Sequence, residues 1–254
     1  MGLFMPKTTF EPGVTFAGGR LTQHLKPKPG MTYALGCDTA LGIEGKDFDA
    51  IELFDSDGKQ AFEAVGHWDL RTAGVIREIV SHYGGVRAVF IVIERATVGL
   101  PIARELHEAG FWVYFERDEE VRARPVRDRL GHAPKHNDAT IRELQKRIAP
   151  YDDLGVLQRP TIEIYSAELH DQLCKFGYRH KAESKTFEDA RDRDLVMGSP
   201  KGEHDDLVRA AALSVAGLLW LPQYQPPKPR FAAGTYGELV GMNEPEKPKD
   251  SSYF

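Results

Sequence analysis

Hydrophobic positions along the chain change their period several times, and each period predicts a different element. The runs "MTYALGCD" and "VRAVFIVIE" are short and nearly continuous, which predicts two buried strands. The second run is apolar on both faces and is typical of a central strand. "AIELFDSDGKQAFEAVGHWD" predicts two strands joined by a turn at Asp55 to Gly58, and "FWVYFE" predicts one more strand.

Helical spacing of apolar residues alternates with these strands. It predicts helices in "RTAGVIREIVSHYGG" and "VGLPIARELHEAG", which Gly84 and Gly110 would end. Further helices are expected over residues 138–148, 167–176 and 205–220. The order of elements predicts an α/β protein with a mixed central β-sheet flanked by α-helices.

Composition adds the domain boundaries. The chain has 254 residues, of which 41% are hydrophobic and 28% charged, so it can bury the core of one moderate globular domain. Residues 1–30 hold several Gly and Pro and little periodicity, which predicts a leader or linker before a domain over 31–222. Residues 223–254 are rich in Pro, Gly and charge, and we expect a flexible C-terminal tail there. The two cysteines are too few for a disulfide framework and favour a reducing compartment.

Several common functional motifs do not occur in the sequence. It has no GxxxxGK[ST] loop, no GxGxxG after a strand, no HExxH and no GxSxG, which removes the usual support for ATPase, dehydrogenase, zinc protease and α/β-hydrolase functions. No apolar run approaches the roughly 18 residues of a membrane helix. The net charge of −5 argues against a globally basic nucleic-acid coat, although it leaves room for a local basic groove.

Acidic residues stand at three element boundaries. Asp38 ends the first apolar run, Glu94 ends "VFIVIE", and Asp205 and Asp206 precede a helix that is apolar nearly all round. Each has an ordinary explanation, namely a turn, a strand reaching the surface, or a helix N-cap. If the two strands are neighbours, however, all these acids converge at one edge of the sheet.

Converging carboxylates raise one another's pKa unless a cation compensates. Ligand sets made only of oxygen select Mg²⁺ or Mn²⁺ over zinc. Two such ions roughly 3.5–4 Å apart are the standard arrangement for phosphodiester cleavage. The small residues Gly36 and Ala40 are then expected to leave room for metal and phosphate beside Asp38.

Three segments carry a resemblance to a known family: "YALGCDTALGIEGKDFDAIELFD", "VFIVIERATVGLPIARELHEAGF" and "GEHDDLVRAAALSVAGLL". From about Met31 to Leu221 the chain resembles the ribonuclease H-like superfamily and, more narrowly, the C-terminal nuclease domain of the phage terminase large subunit. The resemblance implies a metal-dependent endonuclease that cleaves double-stranded DNA by two-metal hydrolysis, with Mg²⁺ or Mn²⁺, during viral genome packaging in the cytoplasm of the infected host cell.

The resemblance also implies roles for individual residues. Asp38 and Glu94 would be catalytic metal ligands, and Asp205 is preferred as the final ligand, with Asp206 as a contender or co-ligand. His204 either lies behind these ligands or only caps the helix.

Basic residues are expected to hold DNA phosphates, although a solvated loop of mixed charge explains most of them equally well. Arg95 follows Glu94 where the family commonly has Asn, so it is expected to alter DNA contacts. The expected DNA-binding residues are Arg95, Arg122, Arg124, Arg127, Arg129 and Lys181.

The implied partners are double-stranded DNA, a packaging ATPase domain, the small terminase subunit and the portal, with no membrane. Two alternatives stay open at this point. One is a nuclease similar to Holliday-junction resolvases, and the other is a non-catalytic module that docks on portal or capsid through "PPKPRFAAGTYGELV".

Overall fold

The computed structural model describes residues 14–16, 18–40, 48–96, 98–116, 124–134, 137–150, 155–180, 195–200 and 204–221. Its main sheet has six strands: β1 (Val14–Phe16), β2 (Gly19–Gln23), β3 (Tyr33–Asp38), β4 (Asp49–Asp55), β5 (Gln60–Gly66) and β6 (Val89–Ile93). They lie in the order β1-β2-β5-β4-β3-β6. All neighbours are antiparallel except β3 and β6, which run parallel. The predicted mixed sheet is confirmed.

Within the described ranges, the sheet is accompanied by five helices: α1 (Thr72–His82), α2 (Gly99–Glu108), α3 (Asn137–Ile148), α4 (Ala167–Lys175) and α5 (Asp206–Trp220). Single 3-10 turns span Asp69–Arg71 and Val126–Asp128, and a separate hairpin is formed by β7 (Gly177–His180) and β8 (Leu195–Gly198). None of the helices in the described ranges is long and apolar enough to cross a membrane.

The sheet has a core on each face. Buried residues of α1 and α2 pack with Leu35, Ile51 and Leu53 on one side. On the other side, α3, α4 and α5 pack over Ala50 and Phe54. Alternate residues of β4 thus enter different cores, as the two-residue period of a strand requires. This explains why β3, β4 and β6 are buried along their whole length.

Helix ends follow the glycine signals in the sequence. Gly84 after α1 and Gly110 after α2 have φ of +104° and +85°. The next amide in each case donates to a carbonyl five residues back, from Gly85 to Val80 at 2.8 Å and from Phe111 to Leu106 at 3.0 Å. This pattern closes a helix through a left-handed residue, so both predicted helix ends are confirmed.

The sheet begins earlier in the chain than the sequence predicted. β2 lies within the expected leader or linker, yet its residues pair with Phe62–Gly66 along the edge of β5. Only Leu21 of this short strand carries a fully buried side chain of appreciable size, so the apolar pattern was too brief to recognise. The expected C-terminal tail over 223–254 lies outside the described residues.

β6 is covered on both edges, although it stands last in the strand order. The segment predicted as the strand "FWVYFE" forms only isolated bridges, one of which joins Val113 to Ile91 in parallel. The Ile91 amide donates to the Trp112 carbonyl at 2.9 Å, and the Tyr114 amide donates to the Ile91 carbonyl at 2.8 Å. β6 is therefore flanked by β3 and by this segment, which agrees with its uninterrupted apolar sequence.

Candidate metal centre

Two acids end adjacent parallel strands. β3 and β6 pair in register from Tyr33 with Val89 to Cys37 with Ile93, and the Glu94 amide donates to the Cys37 carbonyl at 2.9 Å. Asp38 and Glu94 therefore reach the same edge of the sheet, where they are only 8% and 7% exposed. The predicted convergence required these two strands to be neighbours, and they are.

Helix α5 delivers the other two acids to this edge. It crosses β3 so closely that a Cβ atom at Gly36 would come well within 3.0 Å of the Ala210 carbonyl and the Ser214 amide. The Ser214 hydroxyl donates to the Ala34 carbonyl at 2.7 Å and fixes the helix along the strand. The expectation that Gly36 leaves room for metal and phosphate is wrong, because that space is taken by α5.

The Asp38 carboxyl lies in an unfavourable setting for a negative charge. Burial raises its pKa well above the ordinary range, and a hydrogen bond with Glu94 and the charges of Glu94 and Asp206 raise it further. The positive charge of Arg209 acts in the opposite direction. A cation bound between these carboxyls would relieve their mutual repulsion.

Asp205 and Asp206 face different partners although they are adjacent in sequence. Asp206 is 6% exposed, and one of its oxygens accepts from the Phe48 amide at 3.2 Å. Asp205 occupies the N-cap position of α5 but makes no side-chain cap bond. Instead its two oxygens accept from Arg209 Nε at 3.0 Å and Nη2 at 3.3 Å. The charge of Asp206 contributes to the raised pKa of Asp38.

His204 lies beside the acids. Its Nδ1 is 3.5 Å from Asp206 Oδ2, and its ring is 5.0 Å from the Phe48 ring, which also packs on His67 at 4.4 Å. The two roles expected for His204 both stay predictions.

Asn137, the first residue of α3, belongs to this site and was not singled out in the sequence. Its Nδ2 donates to Glu94 Oε1 at 2.9 Å. The sequence offered only the appearance of a helix start, because nothing local indicates which strand end that helix approaches.

Asp49 also supports the site, although no sequence pattern around it indicates this. It is fully buried, and one oxygen accepts from the Ala40 amide at 2.9 Å, while the other accepts from the amides of Trp68 at 2.7 Å and Asp69 at 3.0 Å. These bonds anchor the backbone two residues after Asp38 to the turn that follows β5. Asp49 therefore holds the end of β3 in place.

The predicted DNA-binding residues fall into three groups. Arg95 is largely buried and lies 2.8 Å from Glu116 Oε2, so its charge is already engaged. Arg129 donates to the Glu116 carbonyl at 3.2 Å and stands over the Phe115 ring at 5.3 Å. Arg124 and Arg127 are exposed, and Arg127 lies 3.8 Å from Asp128. Two others, Arg122 and Lys181, lie outside the described residues.

No described group of three or more His, Cys, Asp or Glu side chains is already arranged around a cation position. Asp38 is hydrogen-bonded to Glu94, and Asp205 is paired with Arg209. The donor chemistry nevertheless fits a hard divalent ion, since all four candidate ligands are carboxylates.

Known structures share this arrangement of strands and helices. The large terminase nuclease from thermophilic phage G20c is 18% identical to the chain, with a TM-score of 0.52, over 81% of this chain and 91% of that one. The chain has the fold of a large terminase nuclease. The predicted α/β class, with a mixed central sheet flanked by helices, is thereby confirmed.

Two further known structures are similar to the chain. The G20c nuclease with bound magnesium has a TM-score of 0.49 at 18% identity, over 81% of this chain and 90% of that one. The nuclease domain from Thermus phage P74-26 has a TM-score of 0.48 at 17% identity, over 80% and 87% of the two chains. No protein-family model and no curated protein matches the sequence.

Proposed function

We propose that the chain is a divalent-metal-dependent endonuclease that cleaves double-stranded DNA during viral genome packaging. The observation that carries the proposal is the meeting of Asp38, Glu94 and the Asp205–Asp206 pair at one sheet edge. These acids meet in the fold of the G20c large terminase nuclease, although the two sequences share only 18% identity.

The proposed cofactor is a pair of Mg²⁺ or Mn²⁺ ions, and the proposed ligands are Asp38, Glu94, Asp206 and Asp205. Bound at such a site, two ions activate a water molecule and stabilise the oxygen that leaves the phosphodiester. Asp206 is favoured over Asp205 as the first ligand from α5, because its charge already acts on Asp38 while Asp205 is engaged by Arg209.

The surrounding residues supply orientation. Asn137 holds one oxygen of Glu94, which fixes how the carboxylate is turned. Asp49 holds the chain after Asp38 through the Ala40 amide. Removing such a partner of a metal ligand commonly lowers metal affinity or activity by 10- to 100-fold.

Duplex DNA is the proposed substrate, and the exposed Arg124 and Arg127 are proposed contacts to its phosphates. Contacts of this kind position a duplex without reading its sequence. A packaging ATPase domain, the small terminase subunit and the portal are the proposed partners. These partners are inferred from the proposed function alone.

The test is cleavage of a linear duplex, a supercoiled plasmid and a four-way junction by the full chain, with Mg²⁺, with Mn²⁺ and with a chelator. We expect both duplex substrates to be cut only with metal, and Asp38→Asn to abolish cutting while circular dichroism stays unchanged. Glu108→Gln is the matched control, because Glu108 is an exposed acid at the end of α2, away from the site.

Other outcomes favour the alternatives. Cutting confined to the junction would favour a resolvase, and no cutting with either metal would favour a module that docks on portal or capsid. Cleavage that persists in Asp38→Asn would point to a contaminating nuclease and contradict the proposed site.

A further inference from the structure

Arg209 lies one helical turn after Asp205 and grips it with two nitrogen atoms. Nε is 3.0 Å from Oδ1 and Nη2 is 3.3 Å from Oδ2, which is a two-point contact between guanidinium and carboxylate. The side chains are 30% and 19% exposed, so the pair is partly shielded from water. An ion pair in this position is held more firmly than one on an open surface.

Arg209 also reaches the other acids of the site. It lines a small enclosed pocket together with Glu94, Asn137, Thr140, Ile141 and Leu213. Its positive charge acts on both Asp38 and Glu94. The guanidinium therefore supplies positive charge to a cluster of carboxylates that repel one another.

We infer that Arg209 is an internal counter-ion of the acid cluster, and that a divalent cation must displace its guanidinium from Asp205 in order to bind. This inference rests on the proposed function, because it assumes that the cluster binds metal. The site then has two arrangements, one with Asp205 paired to Arg209 and one with Asp205 turned to the metal. Arg209 therefore sets the metal concentration at which the site changes from the first arrangement to the second.

The experiment compares Mn²⁺ binding by the full chain and its variants, measured by isothermal titration calorimetry. Arg209→Gln should bind Mn²⁺ more tightly, with an apparent Kd lower by on the order of tenfold, the weight of one charge-assisted contact. Arg209→Lys keeps the charge but loses the two-point grip, so its Kd should fall between those of Arg209→Gln and the wild type.

Asp205→Asn provides the control for mechanism. If Arg209 acts by occupying Asp205, then Arg209→Gln should give no further tightening in the Asp205→Asn background. A second readout is thermal unfolding. In chelator, Arg209→Gln should have a lower melting temperature than the wild type. Saturating Mn²⁺ should raise the melting temperature of Arg209→Gln by more than it raises that of the wild type.

Three results would overturn the inference. Equal Mn²⁺ affinity of Arg209→Gln and wild type would remove the competition. If Arg209→Lys bound Mn²⁺ as the wild type does, charge alone would explain the effect. If Arg209→Gln still tightened Mn²⁺ binding fully in the Asp205→Asn background, Asp205 would not be the ligand for which Arg209 and the metal compete. Absence of Mn²⁺ binding by every form, wild type included, would instead contradict the metal centre itself.

Discussion

The substitution Gly36→Ala tests whether the close crossing of α5 over β3 assembles the site. A methyl group at position 36 would lie 3.0 Å from Leu213 Cβ and closer still to the Ala210 carbonyl and the Ser214 amide. Ordinary contacts begin at 3.4 Å, so even the mildest overlap needs about 0.4 Å of movement. The two backbone overlaps need more, and they cannot be relieved by rotating a side chain.

The expected cost follows from these contacts. Overpacking a core costs roughly 1–3 kcal/mol, and the backbone overlaps place Gly36→Ala at the upper end. Outward movement of α5 also weakens the buried bond from Ser214 to the Ala34 carbonyl, which adds about 1 kcal/mol. We therefore expect the free energy of unfolding to fall by about 3–4 kcal/mol.

Urea unfolding followed by circular dichroism measures this loss as a lower midpoint with an unchanged slope. The matched control is Gly74→Ala in α1, where a Cβ atom would meet nothing within 4 Å. It should stabilise the chain by about 0.5–1 kcal/mol through helix propensity alone. Because α5 carries Asp205 and Asp206, Gly36→Ala should also weaken Mn²⁺ binding at temperatures where it remains folded. A Gly36→Ala protein as stable as the wild type, with unchanged Mn²⁺ affinity, would refute the reasoning.

Three further changes test the site and its electrostatics. Asp206→Asn should lower plasmid cleavage by more than about 100-fold with unchanged circular dichroism; near-normal cleavage would exclude it as a ligand. Asn137→Ala frees Glu94 Oε1 and should weaken Mn²⁺ affinity by roughly 10-fold or more in calorimetry; unchanged affinity would leave it a purely structural residue. Burial and the nearby Glu63 raise the pKa of the Glu52 carboxyl well above its ordinary range. Glu52 therefore binds a proton more tightly in the folded chain than in the unfolded chain. The stability of the folded chain should therefore fall as pH rises through that raised pKa, and Glu52→Gln should raise the free energy of unfolding more at pH 8 than at pH 5 in urea titrations; an equal gain at both would contradict this.

What the sequence predicted correctly came from signals confined to single elements. The approach of Asp38 to Glu94 was predicted because each ends a buried strand. The helix ends at Gly84 and Gly110 were predicted because a helix closes most easily through a left-handed residue. The apolar surface of α5 indicated that the helix packs deeply, and it does.

What the sequence missed depends on contacts between distant elements. Asn137 meets Glu94 across 43 positions, and no local pattern indicates that approach. Gly36 was assigned to the wrong neighbour, because the sequence cannot show which face of β3 receives α5. Arg209 could have been found, since it stands four residues after Asp205 on a helix, where opposite charges commonly pair.

The packing of α5 on β3 also fixes when the site can exist. The bond from Ser214 to Ala34 joins residues 180 positions apart, and Asp205 and Asp206 enter the site with the same helix. Contacts of such long range form only after the intervening chain is made and folded. On a ribosome, Asp38 and Glu94 would therefore emerge well before the acids of α5 arrive. If the site cuts DNA, a nascent chain carries no complete cutting site until α5 has docked, so synthesis itself delays the onset of activity.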